Sequence, residues 1–222
     1  MLRIAVLASG RGSNLQALID AIAAGQLDAR VVGVFSDRAG AFALERARCA
    51  GVPTLALDPR EFATRSAFDK QLFSHIDAVH PHVIVCAGYM RLLSEREVDA
   101  HAGQMINIHP SLLPAFKGLR THEQALAAGA AEHGASVHVI SAELDGGPVI
   151  AQARVPVLPG DDAATLAQRV LAREHPLLVQ TLRCLAAGSL VLGRHGAALG
   201  GAPLAAPLQL DAENQLISGS RH

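Results

Sequence analysis

Three side chains carry the chemistry that this sequence can do. Residues 105–118 read MINIHPSLLPAFKG, and Asn107 and His109 interrupt its apolar start. In an extended strand their spacing puts the amide and the imidazole on one face. Both stand near the strand's C-terminal end, where open α/β sheets bind ligands. Asp145 lies in SAELDGGPVI, residues 141–150, ahead of two glycines and a proline. A loop folded back over the strand end brings its carboxylate to His109. An amide donating to an oxyanion, an imidazole moving a proton and a carboxylate holding the ring fit an acyl-transfer site. The same residues also fit a satisfied structural histidine beside an ordinary Asp-Gly-Gly turn. Spacing alone leaves both readings open.

A second stretch, IAVLASGRGSNLQAL, runs from residue 4 to residue 18. It passes from an apolar strand through a glycine turn into a helical pattern. Gly10 and Gly12 allow positive φ and let backbone amides approach an anion. Ser13 and Asn14 add donors at a helix N-terminus, whose dipole favours negative charge. A dinucleotide fingerprint needs a third glycine where this chain has Leu15. That weakens Asp37 as a ribose-binding acid and favours a compact monophosphate over a pyrophosphate. The plain alternative is a tight turn with a helix cap.

Other chemistries lack their motifs. The chain has 11 histidines, but no H-E-x-x-H and no Cys/His set at zinc spacing. No metal is expected; His133 and His138 read as surface and strand residues. Gly-x-Ser-x-Gly is absent. With 19 Lys and Arg against 20 Asp and Glu, and 3% aromatics, the chain lacks the basic stripe and stacking rings of a nucleic-acid binder. No apolar run is long enough to span a membrane, and no export signal precedes the first strand. The three cysteines, Cys49, Cys86 and Cys184, are dispersed and odd in number, which suits a reducing compartment. The expectation is a cytoplasmic protein acting on small molecules, as monomer or homodimer.

The elements that must position these groups alternate. Strands are predicted at Leu2–Ala8, Arg30–Phe35, Thr54–Leu57, Val83–Ala87 and Met105–His109. Helices are predicted at Asn14–Ala24, Ala41–Ala50 and Phe62–Val79. Ala135–Ile140 and Val149–Val155 read as a strand pair around the Asp-Gly-Gly turn. Ala163–Ala187 reads as a helix that Pro176 kinks or breaks. Alternation of this kind makes a Rossmann-like, doubly wound α/β fold, with a mainly parallel sheet and an antiparallel strand pair in the C-terminal half. Residues 1–193 are expected as the one domain, and residues 194–222, rich in Gly, Ala and Pro, as an irregular, loosely packed tail.

The stretches SGRGSNLQALI, VFSDRAGAFALERARCAGVP, AGYMRLLS, NIHPSLLPAFKG and GASVHVISAELDGGPVIAQARVPV together resemble the phosphoribosylglycinamide formyltransferases. The resemblance runs in order from about Arg3 to about Leu192. It implies transfer of a formyl group from 10-formyltetrahydrofolate to glycinamide ribonucleotide in purine biosynthesis. It implies Asn107, His109 and Asp145 as the catalytic trio. Gly12, Ser13 and Asn14 would hold the ribonucleotide phosphate, and Glu174 its ribose hydroxyls. Arg65 and Arg91 would reach the folate's glutamate. Met90, Leu92 and Leu93 would line the pterin pocket, with Asn107 and the loop Ser141, Ala142, Glu143, Leu144, Asp145 opposite. The segment after Glu174-His175 is a residue or two shorter than the family pattern. The rival readings are a formyltetrahydrofolate deformylase, a transferase acting on methionyl-tRNA, a nucleotide-dependent oxidoreductase and a non-catalytic nucleotide- or folate-binding module.

Overall fold

The computed structural model describes residues 1–219. The first strand, β1 (Leu2–Leu7), is buried over its last four residues and leads to Ser9. Helix α1 (Ser13–Ala23) starts after Gly12, whose φ of 68° is left-handed. Leu15, Leu18 and Ala21, three apart, form its buried face. β2 (Ala29–Ser36), α2 (Phe42–Cys49) and β3 (Thr54–Ala56) follow. The next helix, α3 (Arg65–Ala78), begins later than Phe62, because Thr64 Oγ1 caps it by accepting from the Ala67 N–H at 3.1 Å. Phe62 instead packs edge-on against Phe68 at 5.4 Å. β4 (Val83–Cys86), the short α4 (Glu95–Ala100), β5 (Met105–His109) and α5 (Thr121–Ala127) complete the parallel half. β6 (Glu132–Val139) and β7 (Val149–Pro156) are the antiparallel pair.

Pro176 does not break the next helix. α6 (Ala163–Ala186) is continuous, opened by a capping box between Asp162 and Thr165. Leu166 and Val170 before the proline, and Leu177, Leu178 and Leu182 after it, are all buried. Burial of one such side chain contributes about 1.5–3 kcal/mol, so the set outweighs the roughly 3 kcal/mol that an interior proline costs.

The tail is a correction to the sequence-based expectation. β8 (Leu190–Gly193), β9 (Gly196–Leu199) and β10 (Ala202–Pro203) form a small antiparallel sheet. A boundary at residue 193 therefore falls inside a hairpin. β11 (Leu208–Leu210) and β12 (Leu216–Ile217) extend the main sheet, β11 pairing parallel with β7. Leu208 and Leu210 are buried, and Arg173 donates to the carbonyls of Leu210 and Asp211. The open edge of β7 supplied the partner that composition could not indicate. Residues 220–222 of the expected tail lie outside the described residues.

The main sheet has the order β12-β11-β7-β6-β5-β4-β1-β2-β3. β1 pairs parallel with both β2 and β4, so the chain reverses its direction of travel across the sheet between β1 and β4. A crevice opens at such a switch point, outside the C-terminal ends of the strands. Among the described residues no helix is long and apolar enough to cross a membrane.

Candidate active site

Asn107 and His109 share one face of β5, as their spacing predicts. Antiparallel β6 places His138 opposite Asn107 and Ser136 opposite His109. Ser136 is fully buried, and its hydroxyl donates to Ser111 O at 2.7 Å and accepts from the Leu113 N–H at 3.0 Å. These bonds fix the turn that follows His109.

The Asp-Gly-Gly loop folds back over the strand end. A Cβ on Gly147 would lie 1.8 Å from Val139 O, so only glycine allows this approach. Asp145 itself has a left-handed φ of 47°, a strained conformation for a non-glycine residue. Its Oδ2 accepts the Gly118 N–H at 2.8 Å and stands 3.5 Å from His109 Nδ1. Its Oδ1 stands 3.7 Å from His138 Nε2.

Ring orientation follows from the partners. His109 Nε2 faces Phe116 O at 3.1 Å, and Nδ1 faces the Asp145 carboxylate. Both ring nitrogens thus face oxygen atoms. His138 is different. Burial holds it below the ordinary histidine range. Its Nδ1–H donates to Val139 O at 3.0 Å, leaving Nε2 to accept from Asn107 Nδ2 at 3.0 Å. That contact orients the Asn107 amide and leaves its second N–H free. His138 is a polar neighbour of Asn107 that sequence reasoning did not place at the site. The available signal was the polar pair Ser136 and His138, spaced like Asn107 and His109.

Two cavities meet at this point. One, of about 530 Å³, carries Asn14, His109 and Glu174, and also Met90, which the resemblance grouped with Leu92 and Leu93 but which does not line the second cavity. The other, of about 390 Å³, carries Arg65, Leu93, Ser141, Ala142 and Glu143. Arg91, Leu92, Asn107, Leu144 and Asp145 line both. Gly12 and Ser13 lie at the start of α1, outside the residues lining either. Met90, Leu92, Leu119 and Leu144 are at least half exposed, and all face the first cavity. Such clustered apolar exposure marks a binding surface.

Glu174 reaches the site despite the shorter segment after it. Asn14 Nδ2 donates to its Oε2 at 2.8 Å across 160 residues of sequence. Burial pushes the Glu174 carboxyl above its ordinary range, and the Asn14 bond opposes this. Asn14 Oδ1 is buried without a partner. In the other chamber the Arg91 guanidinium lies 5.1 Å from the Phe68 ring centroid. Lys117 and Glu143 pair at 2.6 Å, joining the two loops beside the trio. His133, expected at the surface, is instead fully buried and sits 3.1 Å from His122, with its pKa pushed down to about 4 by burial. Among the described residues no group of three or more His, Cys, Asp and Glu is arranged to hold a metal ion.

The sequence profile of a family described as formyl transferase matches residues 2–182. The phosphoribosylglycinamide formyltransferase of Escherichia coli strain K12 is 48% identical over 200 residues, covering 90% of this chain and 94% of that protein. The trifunctional purine biosynthetic protein adenosine-3 of Drosophila pseudoobscura pseudoobscura is 47% identical over 190 residues, covering 85% of this chain and 14% of that longer protein. The solved structure of the phosphoribosylglycinamide formyltransferase of Coxiella burnetii superposes with a TM-score of 0.88 at 48% identity, covering 92% of this chain and 96% of that one.

Proposed function

The chain belongs to the formyl transferase family, and from this premise we propose how its site works. It is an enzyme of purine biosynthesis that transfers a formyl group. The donor is 10-formyltetrahydrofolate and the acceptor is the glycine amine of phosphoribosylglycinamide. The observation that carries this reading is the pair of chambers sharing Asn107 and Asp145. A reaction between two bound molecules needs its polar groups at the junction. The chamber with Asn14 and Glu174 takes the ribonucleotide, its phosphate at the turn of Gly12, Ser13 and Asn14. The chamber with Arg65, Arg91, Leu92, Leu93 and the 141–145 loop takes the folate.

The amine attacks the formyl carbon, a carbon–nitrogen bond forms and the carbonyl oxygen becomes an oxyanion. The free Asn107 N–H donates to it, a well-placed donor of this kind being worth about 3–4 kcal/mol, and His109 gives it the Nε2–H that otherwise faces Phe116 O. The amine's proton passes to the folate nitrogen through Asp145 and water as the bond to that nitrogen breaks. The products are the formylated ribonucleotide and tetrahydrofolate, with no covalent enzyme intermediate. Much of the remaining acceleration comes from holding two substrates in line. We place the enzyme in the cytoplasm as a monomer or homodimer; its three unpaired cysteines support a reducing compartment.

The test follows tetrahydrofolate release from 10-formyltetrahydrofolate with and without the ribonucleotide. Release that requires the ribonucleotide supports transfer. Equal release without it makes the protein a deformylase. Donor binding without release makes it a binding module.

A further inference from the structure

Two buried carboxylates take no part in the chemistry above, yet both reach one segment. Residues 87–94 form neither helix nor strand, and they carry Met90, Arg91, Leu92 and Leu93. No sheet ladder holds them. Asp69 on α3 is fully buried, and its Oδ2 accepts the Ser94 N–H at 2.6 Å. Burial pushes this carboxyl above its ordinary range, while the Ser94 bond and the nearby Arg65 and Arg91 charges oppose the shift. At the other end, Asp37 is buried just past β2, and its Oδ1 accepts the Ser9 hydroxyl proton at 2.5 Å. With its proton committed, the Ser9 oxygen accepts the Met90 N–H at 2.9 Å. Ser9 also donates its own N–H to Gly88 O at 3.0 Å.

We propose that Asp37, acting through Ser9, and Asp69 are positioning residues that clamp the two ends of this segment and so set the wall it presents to the donor chamber through Arg91, Leu92 and Leu93 and to the acceptor chamber through Gly88 and Met90. A buried carboxylate is expensive unless it is well bonded. Packing alone calls for an apolar side chain at either position. Asp69 instead directs its charge at a main-chain donor of this segment, and Asp37 at the Ser9 hydroxyl that accepts from the segment's Met90 N–H. The placement supports the role. Ser9 follows β1 and Met90 follows β4, the neighbouring parallel strands at the switch point. The Ser9 hydroxyl therefore bridges the crevice between the turn assigned to the phosphate and the wall assigned to the folate.

The inference rests on reading that wall as the donor site, so wild-type transfer from 10-formyltetrahydrofolate is established first. If it is absent, that reading fails, and the clamp with it. With transfer established, donor and acceptor are varied separately for Ser9→Ala, Asp37→Leu, Asp37→Asn and Asp69→Asn. Ser9→Ala and Asp37→Leu should raise donor KM about 3- to 10-fold, the loss of one ordinary hydrogen bond. The acceptor KM should rise as well, because Met90, released by the loss of the Ser9 hydroxyl bond, lines the acceptor chamber. Asp37→Asn keeps an oxygen acceptor for the hydroxyl and should restore donor KM to within about twofold of wild type. Donor KM unmoved by Ser9→Ala and Asp37→Leu, with or without a lowered unfolding midpoint, or not restored by Asp37→Asn, would overturn the clamp. Should Asp69→Asn fail to fold, the Ser9→Ala and Asp37→Asn results decide alone.

Discussion

Replacing Asp145 with Asn removes a charge and almost nothing else. Oδ2 accepts the Gly118 N–H and faces His109 Nδ1, while Oδ1 stands 3.7 Å from His138 Nε2, whose lone pair is taken by Asn107. An Asn side chain with its oxygen on the Gly118 side keeps the Gly118 and His109 contacts and leaves its NH₂ where Oδ1 stood. Asn also tolerates the left-handed φ of 47°. Fold and ligand sites should therefore survive. What is lost is the attraction between the carboxylate and the His109 imidazolium at 3.5 Å. At an effective dielectric of about 20 this is about 5 kcal/mol; only the part gained between the bound complex and the transition state enters the rate, so about three and a half decades is the ceiling. General acid–base contributions of about 10²–10⁴ bracket the same value. We expect kcat to fall by about 10²–10³·⁵, with both KM values within about threefold of wild type. The assay is tetrahydrofolate release at saturating donor and acceptor, with circular dichroism to check the fold. A folded variant that keeps more than about a tenth of wild-type kcat removes the Asp145 charge from the mechanism.

The other predictions address the two substrate chambers. Gly12→Ala puts a Cβ 2.7 Å from Ala43 Cα at a φ of 68°. Strain of about 1–2 kcal/mol plus overpacking of about 1–3 kcal/mol should lower the thermal midpoint by at least about 4 °C and raise acceptor KM; if neither moves, the turn is not the phosphate site. Arg65→Ala should raise KM about tenfold or more for a donor bearing a glutamate, a charge-assisted bond being worth about 1.5–3 kcal/mol. A glutamate-free pterin donor should change by less than about threefold, and an equal loss for both would misplace the glutamate. Glu174→Gln should raise acceptor KM yet stabilise the free protein. Burial raises the Glu174 pKa above its ordinary value near 4.5, so the folded state is penalised once pH climbs through the raised value. Gln removes that penalty. The variant's thermal midpoint at pH 7 should exceed that of wild type. The gap should close below about pH 4.5, and a variant less stable at pH 7 would contradict the assignment of burial as the cause.

Local pattern carried most of the fold. Strands buried on both faces read as apolar runs, and β5 falls on the predicted residues, Met105–His109. What failed was local inference applied where tertiary packing decides. Pro176 is a breaker in isolation, but the leucines on either side of it are buried together. The Gly, Ala and Pro of the tail are poor strand formers, yet β11 is held by the unpaired edge of β7 and by Arg173. His133 looked like a surface residue because a lone histidine carries no periodic signal, and its burial depends on His122 arriving from α5. α4 and α5 are too short to show a helical period.

The site divides along the same line. Asn107 and His109 were legible because a strand's period of two is local and β5 is unambiguous. Asp145 was placed beside them on the conditional that its loop folds back, and the Gly147–Val139 approach is the physical form of that condition. His138 was not legible, although its strand was, because its role depends on register. A shift of one residue between β5 and β6 would turn it away from Asn107, and the apolar alternation within the strands does not set that register. The turns beyond the strands set it instead: Ser136 binds the chain after His109, and Gln152 Nε2 on β7 donates to Ser136 Oγ at 3.1 Å and to Leu113 O at 2.9 Å. The same reasoning explains why Asp37 and Asp69 gave no functional signal. Each acts on a segment brought to it by the β1–β4 crossover, so their meaning lies in the strand order rather than in any stretch of sequence. A residue at the switch point can thus be read for chemistry from its neighbours in sequence, but for positioning only from its neighbours across the sheet.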